Sequence, residues 1–510
     1  MQNSRKVAYN LFLGLANQFL AILLGIIVPR LVLTSYGSEV NGLINTVTQI
    51  YTYIALLEAG IGTSTVQALY KTIGNDSRYD TNAVLAATNR YYKKTGLYYL
   101  LAIGLFSVLF PLVVETSIPT HTVTLIIIFN GLGSVINYFF QAKYLLLLRA
   151  EGRNYIQSIM TMVINVLKNV AKIVLMACGA DVVFVQMIGM GVSLLQMIYI
   201  YGYIRKHYRW IDLSVKPNFE AISQNKNVLV HQISGLIFNN TDTIILSTVC
   251  GLKAVSVYSL YAMLISMIVT VLSTITSSFL FSLGQTYHSD RKRYGKLFEC
   301  YELYYMALVF SLYAITYIFL LPFIRLYTQG VTDINYLDPN LPVLFVFVHL
   351  LSSGRSACNQ AITIAGHFKL TQNRAIIESA INLIVSIIAV QFFGIYGVLF
   401  GTIAALLYRT IDIILYANRK ILNRKVWITC RRWLLNLVLF ILVAVAGKWM
   451  LSFVSLDSYF SIIGWAVVAC IVVIPLFFAV ASLSDREVFA TAMESLAPFL
   501  RKLPIGKRSD

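Results

Sequence analysis

The sequence has few charged residues. Of its 510 residues, 12% are Asp, Glu, Lys or Arg and 58% are hydrophobic, and the mean hydropathy is +0.73. Soluble globular proteins are usually about 25% charged and 45–50% apolar. A soluble fold cannot cover this much apolar surface, so most of the chain must face lipid.

Several chemical motifs are also absent. The six cysteines are scattered without a CxxC pair, which excludes a zinc motif and a disulfide framework. The chain lacks a P-loop, a GxGxxG motif and a nucleophile–His–carboxylate motif. The net charge of +18 comes from short loops between apolar runs, so nucleic acid is not an expected partner. We predict that the protein is not an enzyme and holds no metal or cofactor.

Apolar windows recur along the whole chain at about 20 residues, the length that an α-helix needs to cross a bilayer. The sequence therefore predicts an all-α polytopic membrane protein of about fourteen spans. The first apolar stretch, after the basic start MQNSRK, is too long for a signal-peptide core and predicts an uncleaved span. The predicted spans are 9–34, 40–70, 95–115, 122–148, 155–178, 182–204, 228–250, 254–284, 301–325, 341–366, 373–393, 396–417, 433–454 and 459–482.

The connections between these spans alternate between basic and non-basic. One set carries nearly all the Lys and Arg residues, and the other has Arg30, Lys253, Arg325 and Lys448. Basic loops stay on the cytoplasmic side of a membrane, so the alternation predicts that both termini are cytoplasmic. An incorrect number of spans would break this alternation.

The two halves of the chain resemble each other around a polar stretch at 206–227. Ile164–Leu167 and Ile381–Ile384 share a pattern at an offset of 217 residues, and Ser35–Gly37 corresponds to Val249–Gly251 at an offset of 214. Parallel six-span repeats predict two lobes with a central cavity between them. We predict an N-lobe of spans 1–6 at 1–205, a cytoplasmic linker at 206–227, a C-lobe of spans 7–12 at 228–420, and two further helices with a cytoplasmic tail at 421–510.

Four segments resemble the multidrug/oligosaccharidyl-lipid/polysaccharide (MOP) exporter superfamily, and within it the Wzx-type polysaccharide (O-antigen) flippases. They are Tyr36–Leu43, Glu58–Gly62, Asp242–Leu246 and Phe393–Thr402. The resemblance implies a MATE-like, V-shaped fold of two lobes that works by alternating access. It also implies export of an undecaprenyl-pyrophosphate-linked oligosaccharide across the bacterial inner membrane.

The fifth predicted span has a polar stripe. Residues three or four positions apart lie on one face of a helix, and two lysines one turn apart repel each other. We interpret the stripe as a cationic wall of a wet cavity that receives an anion; alternatively, Lys172 reaches the outer interface and Lys168 pairs with a distant carboxylate. The stripe consists of Asn154, Ser158, Thr161, Asn165, Lys168, Asn169 and Lys172.

Three other spans carry candidate substrate contacts. Arg30 follows Pro29, which is expected to kink the first span, and it is either a substrate contact or an interfacial anchor. Arg355 has no partner near it in the sequence and is assigned to the cavity. Asn382 lies in the span that matches the fifth. Arginine and lysine suit a pyrophosphate, and Asn suits sugar hydroxyls.

Four carboxylates inside the predicted spans are candidates for ion coupling, because a charge in a membrane is costly and marks function. The alternative for each is a structural ion pair. For Glu378 the nearest cation is Arg374, and for Asp412 it is Arg409. The four are Glu58, Asp242, Glu378 and Asp412.

The predicted function is therefore a flippase for a lipid-linked anionic oligosaccharide in surface polysaccharide biosynthesis. Its expected partners are this substrate, membrane lipids, a polysaccharide polymerase and a chain-length regulator. The alternatives are a lipid II flippase and a cation-coupled multidrug exporter, although the basic stripe disfavours cationic drugs. A membrane glycan polymerase is less consistent with the short outer loops.

Overall fold

The computed structural model describes the backbone of residues 2–58, 61–222 and 226–500. Side chains are described from residue 18 onward, apart from 19, 21, 56, 57, 154, 226–232, 239, 281 and 495–500. The described chain is entirely helical, without a strand. All six cysteines are free. The predicted all-α class is therefore confirmed.

The first compact unit comprises Met1–Ser259, Gly330–Ile334 and Val390–Val398. A 3-10 turn at Ala55–Glu58 follows its first helix, and a π-helical turn at Asn137–Gln141 joins the fourth to the fifth. Its helices are α1 (Gln2–Ile54), α2 (Ile61–Gly74), α3 (Arg78–Val113), α4 (Thr120–Ile136), α5 (Ala142–Ala150), α6 (Asn154–Ala177), α7 (Val182–His207), α8 (Lys226–Val249) and the start of α9 (Gly251–Ser289).

The second unit comprises Leu260–Gln329, Asn335–Ala389 and Leu399–Asp510. It contains most of α9 and a π-helical turn at Ala417–Ile421. Its other helices are α10 (Arg291–Tyr327), α11 (Asn340–Gly354), α12 (Ser356–Ile364), α13 (Phe368–Phe393), α14 (Ile395–Tyr416), α15 (Trp427–Leu451), α16 (Tyr459–Ser484) and α17 (Arg486–Leu500).

Twelve helical segments of the described chain are long and apolar enough to cross a membrane, which makes this a multi-pass membrane protein. The number fourteen stays a prediction. Helix α8, at the predicted seventh span, is not among the twelve. The twelve are Ile22–Ile54, Arg78–Val113, Thr120–Ala150, Tyr155–Ala177, Val182–His207, Gly251–Ser289, Arg291–Tyr327, Asn340–Ile364, Phe368–Phe393, Ile395–Ile421, Trp427–Leu451 and Tyr459–Ser484.

The first two predicted spans have different boundaries in the structure. Helix α1 continues through Pro29, and its non-helical residue is Gly37, with φ 83°. Glycine adopts such a positive φ without steric cost. The helix is therefore interrupted at Gly37 rather than at Pro29. The predicted second span at 40–70 ends early, because a 3-10 turn follows Ile54.

Side chains cap several helices. Ser77 accepts a hydrogen bond from the backbone N–H of Asp80 at the start of α3. Asp181 does so for α7, and Asp290 accepts from two backbone N–H groups of α10. These short polar residues satisfy donors that have no partner inside the helix, so they set where the helices begin.

The internal repeat is present in the helix boundaries, at an offset of 214 residues. Helix α5 at 142–150 matches α12 at 356–364, and α6 begins at 154 where α13 begins at 368. Glycines with positive φ recur at nearly the same offset: Gly37 with Gly251, Gly152 with Gly366, and Gly179 with Gly394. The helix boundaries follow the offset of 214 residues, whereas the sequence match at 217 lies three residues out of register.

The segment between α7 and α8, within the predicted linker, folds against the first unit. The backbone N–H of Asn218 donates to the carbonyl of Ala83 at 3.1 Å, and the amide of Asn82 donates to the carbonyl of Trp210 at 3.2 Å. Tyr208 donates to Glu151 at 2.5 Å. The division into lobes around this segment stays a prediction.

Candidate functional site

The polar stripe of α6 faces its neighbouring helices, whereas its aliphatic side chains are exposed. Val163, Leu167, Val170 and Val174 follow one another at helical spacing, and each is about half exposed. Lys168 and Lys172 are half-buried beside them. The side chain of Asn154 at the start of the stripe lies outside the described part.

Both lysines of the stripe pack against α7. The ammonium Nζ of Lys172 donates to Oε1 of Gln186, which is buried, at 3.0 Å. The side chain of Lys168 crosses Gly189, where an added Cβ would lie 3.1 Å from its Cε. A larger residue at 189 would displace Lys168. Helix α7 thus provides a neutral acceptor for one lysine and space for the other.

Neither lysine has an acidic partner among the side chains that the structure describes. Within the described side chains, no carboxylate oxygen lies within 4.0 Å of Lys168 or Lys172, and every ion pair involves Arg. The predicted alternative, that Lys168 pairs with a distant carboxylate, finds no such partner there. Two half-buried cations one turn apart, next to a neutral amide, form a local positive charge that an anion would stabilise.

Two further polar residues of the stripe, Asn165 and Asn169, bond to each other. The side-chain amide of Asn169 donates to the backbone carbonyl of Asn165 at 2.7 Å, within the same helix. Both residues are half-buried. They extend the polar face of α6 by one turn from Lys168, so hydroxyl and amide partners suit this part of the stripe.

A second charged cluster lies in the second unit, around Glu378 of α13. Arg355, at the break between α11 and α12, donates to Oε1 of Glu378 at 2.7 Å. Arg409 of α14 lies 3.4 Å from Oε2 of the same carboxylate and 2.5 Å from Asp412. Arg374 forms an ion pair with Asp412. Glu378 therefore pairs across helices, and Arg374 pairs with Asp412 instead of its intrahelical neighbour.

This cluster has three guanidinium groups for two carboxylates, so it is one positive charge in excess. Arg355, which had no partner near it in the sequence, has one in Glu378. Its Nη1 is buried and has no hydrogen-bond partner within the described residues.

The remaining predicted residues belong to neither of these two clusters of contacts. Asn382 is fully buried and donates to the hydroxyl of Thr402 at 2.9 Å, at the contact of α13 with α14. In this conformation it offers no surface to a sugar. Arg30 is half-buried on α1, one residue beyond Pro29.

The two candidate ion-coupling carboxylates of the first unit each accept a hydrogen bond from a tyrosine hydroxyl. Tyr92 donates to Glu58 at 2.7 Å, and Tyr258 donates to Asp242 at 3.0 Å. Asp242 is buried, whereas Glu58 is half-buried. A neutral donor stabilises a carboxylate less than an Arg does, so these two sites differ from the Glu378 cluster.

Sequence reasoning missed a buried cluster that joins α15 and α16 to α10. Glu302 and Arg432 are almost fully buried, and their side chains lie 2.6 Å apart. Arg424 is 2.5 Å from Glu302, and Asp485 is 2.7 Å from Arg432. The sequence signal was Glu302 itself, an acid inside an apolar span, while the arginines were interpreted as topology signals only.

Comparison with known proteins gives a family match and a fold. A family model described as polysaccharide biosynthesis protein matches residues 4–281. No curated protein sequence matches the chain.

Three solved structures of the MOP superfamily fold are similar at low identity. The lipid II flippase MurJ in an inward closed conformation is 13% identical over 94% of this chain and 100% of its own, with a TM-score of 0.64. An inward-facing multidrug resistance MATE family transporter is 16% identical over 78% of this chain and 94% of its own, with a TM-score of 0.59. A MOP superfamily transporter from Pyrococcus furiosus is 15% identical over 82% and 96%, with a TM-score of 0.54.

Proposed function

The chain belongs to the polysaccharide biosynthesis protein family, and on that premise we propose that it is a flippase for a lipid-linked anionic oligosaccharide. The membership and the shared fold confirm the predicted place in the MOP superfamily. The Wzx subtype stays a prediction. Undecaprenyl pyrophosphate is the proposed carrier and the bacterial inner membrane the proposed location, with both termini in the cytoplasm.

The observation that carries the proposal is the lysine pair on α6, which has no acidic partner within the described part of the chain. A pyrophosphate supplies the negative charge that Lys168 and Lys172 lack, and Gln186 can then release Lys172 to it. Lysine binds phosphate as a point charge. Asn165 and Asn169 then lie within one helical turn of Lys168, where they suit the hydroxyls of the first sugar.

Arg30 and Arg355 are the further proposed contacts of the pyrophosphate. The excess positive charge around Arg355 attracts an anion, and Arg355 stays paired with Glu378 until the anion binds. Glu378 and Asp412 are the proposed ion-coupling groups of the second unit, and Glu58 and Asp242 those of the first. A carboxylate that gains a proton releases its arginine, which links an ion gradient to substrate binding.

The test is translocation in proteoliposomes of a fluorescent short oligosaccharide on undecaprenyl pyrophosphate, scored by an outside quencher. We expect Lys168→Ala/Lys172→Ala to abolish transport at matched insertion, because the anion then enters without neutralising charge. The control is Lys206→Ala/Lys216→Ala, which removes two exposed lysines. Lys168→Arg/Lys172→Arg keeps the charge and should keep transport.

A second variant tests the same site without removing its charge. Gly189→Leu would push Lys168 aside, whereas Gly191→Leu in the same helix meets no atom within 4 Å at Cβ. Loss of transport in Gly189→Leu alone supports the site. The assignment to α6 would be overturned if wild type, Lys168→Ala/Lys172→Ala and Gly189→Leu all transported the substrate equally.

A lipid II flippase is the second candidate function. The similarity to MurJ extends over nearly all of both chains, and lipid II also carries a pyrophosphate, so the lysine pair suits either substrate. Faster transport of lipid II than of other undecaprenyl-pyrophosphate glycans in the same liposomes would favour it. A multidrug exporter is disfavoured, because the stripe on α6 is cationic.

A further inference from the structure

A mostly apolar cavity lies in the second unit between α9, α10, α16 and α17. Its volume is about 380 Å³, and the residues at its wall include Phe279, Leu283, Tyr301, Tyr304, Phe478 and Ala492. Phe279 at its edge is 47% exposed, so the cavity opens toward the lipid. The clusters described above do not include these residues.

The cavity has the length of one leaflet of a bilayer. Its lining on α10 runs from Leu297 to Leu308, which corresponds to about 16 Å along the helix axis. Half of the hydrocarbon thickness of a membrane is about 15 Å. An extended acyl chain of a membrane lipid therefore fits along this face of α10, with the aromatic rings around it.

Two cations continue the same face of α10 beyond the cavity. Lining positions 297, 300, 301, 304 and 308 recur at helical spacing. Arg293 is one turn before Leu297, and Lys296 is one turn before Cys300, so both lie at the mouth. Both are exposed, and no carboxylate lies within ion-pair distance of either in the described part of the chain.

The acidic groups next to these two cations at the start of α10 are engaged elsewhere. Asp290 accepts from the backbone N–H groups of Lys292 and Arg293 as a helix cap. Glu299 faces Arg424 at 3.5 Å. The neighbouring Arg291 lies over the ring of Tyr287, at 3.5 Å from its centroid. The α10 side of the mouth is therefore positively charged.

From the cavity, its length and its charged mouth, we propose that the second unit holds an anionic phospholipid. One acyl chain occupies the cavity, and the phosphate lies against Arg293 and Lys296. Helix α17 forms one wall through Ala492 and packs on α10, where the thiol of Cys300 meets the carbonyl of Val488 at 3.5 Å. A bound lipid therefore also stabilises the docking of α17.

The charge at the mouth is tested on the purified full chain in detergent. Binding of phosphatidylglycerol and phosphatidylcholine with equal acyl chains is measured by native mass spectrometry and by the rise in unfolding temperature. Arg293→Gln/Lys296→Gln should weaken phosphatidylglycerol binding about thirtyfold. The matched control is Arg419→Gln/Lys420→Gln, an exposed Arg–Lys pair in the same unit, which should bind like wild type.

The cavity is tested separately by filling it. Ala492→Phe should reduce phosphatidylglycerol binding, whereas Ala490→Phe, at an exposed position of α17, should not. Equal binding of the two lipids by wild type, equal loss in both charge pairs, or full binding by Ala492→Phe would each overturn the proposal. Displacement of the phospholipid by undecaprenyl phosphate at equal concentration would assign the cavity to a prenyl chain instead.

Discussion

The backbone N–H and the hydroxyl of Ser38 both donate to the carboxylate of Asp333, at 2.9 and 2.6 Å. This contact ties the loop at Gly330–Ile334 to α1 beside the interruption at Gly37. An added Cβ at Gly37 would lie 3.4 Å from the same carboxylate. Gly37, with its positive φ, and Asp333 therefore lie side by side at the interruption of α1.

Removing Asp333 should destabilise the protein modestly and change its pH dependence. Asp333→Ala loses two hydrogen bonds, which we expect to cost about 1 kcal/mol at neutral pH. The measurement is the unfolding temperature in detergent, and the control is Asp457→Ala in another exposed loop. An equal effect of the two variants would contradict the role of the Ser38 contact.

The pH dependence of this contact has a defined sign. Burial alone would raise the pKa of Asp333, but the hydrogen bonds from Ser38 and the nearby Lys253 hold it below its usual value. A carboxylate with a lowered pKa stabilises the folded state above its unfolded pKa of about 4 and loses this effect as the pH falls through the folded pKa. The difference in unfolding temperature between wild type and Asp333→Ala should therefore disappear at the acidic end of a pH series.

Gly42 should tolerate no larger residue, because α1 and the start of α9 touch there. A Cβ at Gly42 would lie 1.8 Å from the carbonyl oxygen of Leu252, a backbone atom that cannot rotate away. We expect Gly42→Ala to cost about 3 kcal/mol or more. Gly25→Ala in the same helix meets nothing within 4 Å and should be neutral or stabilising. Equal thermal stability of both variants would refute the close contact.

The buried charge cluster around Glu302 should be necessary for the attachment of α15 and α16. Glu302→Gln leaves Arg424 and Arg432 without their shared carboxylate, and breaking a buried pair costs about 3–5 kcal/mol. Glu299→Gln is the control, because its side chain is 35% exposed and it lies 3.5 Å from Arg424. We expect a large fall in unfolding temperature for the first and a small one for the second.

Glu378 and Arg355 should behave as a coupled pair. Glu378→Gln removes the carboxylate that pairs with Arg355, and Arg355→Gln leaves Glu378 with Arg409 alone. The double variant should therefore lose less stability than the sum of the two single losses, by about 0.5–3 kcal/mol. Thermal unfolding of all four proteins measures this. Additive losses would show that the 2.7 Å contact does not contribute to stability.

Transport separates the structural role of Glu378 from ion coupling. If it only holds Arg355, Glu378→Gln should slow transport but keep the dependence on the ion gradient. Loss of the gradient dependence in Glu378→Gln but not in Arg355→Gln would assign the coupling ion to Glu378 itself.

The sequence predicted the helical class, the membrane location and the polar stripe of α6, because hydropathy and helical spacing are local properties. It could not predict the Arg355–Glu378 pair, whose members are 23 positions apart on different helices. The sequence comparison aligned Asn165 with Asn382 because the residue types match. In the structure, the register of the repeat instead follows the glycines with positive φ. Glu302 was overlooked because its arginine partners follow more than a hundred positions later.

The repeat keeps its backbone but not its chemistry. At the offset of 214, Lys168 corresponds to Asn382 and Lys172 to Ser386, both of which are fully buried and neutral. The two copies of the repeat thus differ in chemistry: one has cations at these positions, and the other has buried neutral side chains. The second copy of the repeat has no cation at these positions, so it cannot replace a positive charge that is lost from α6.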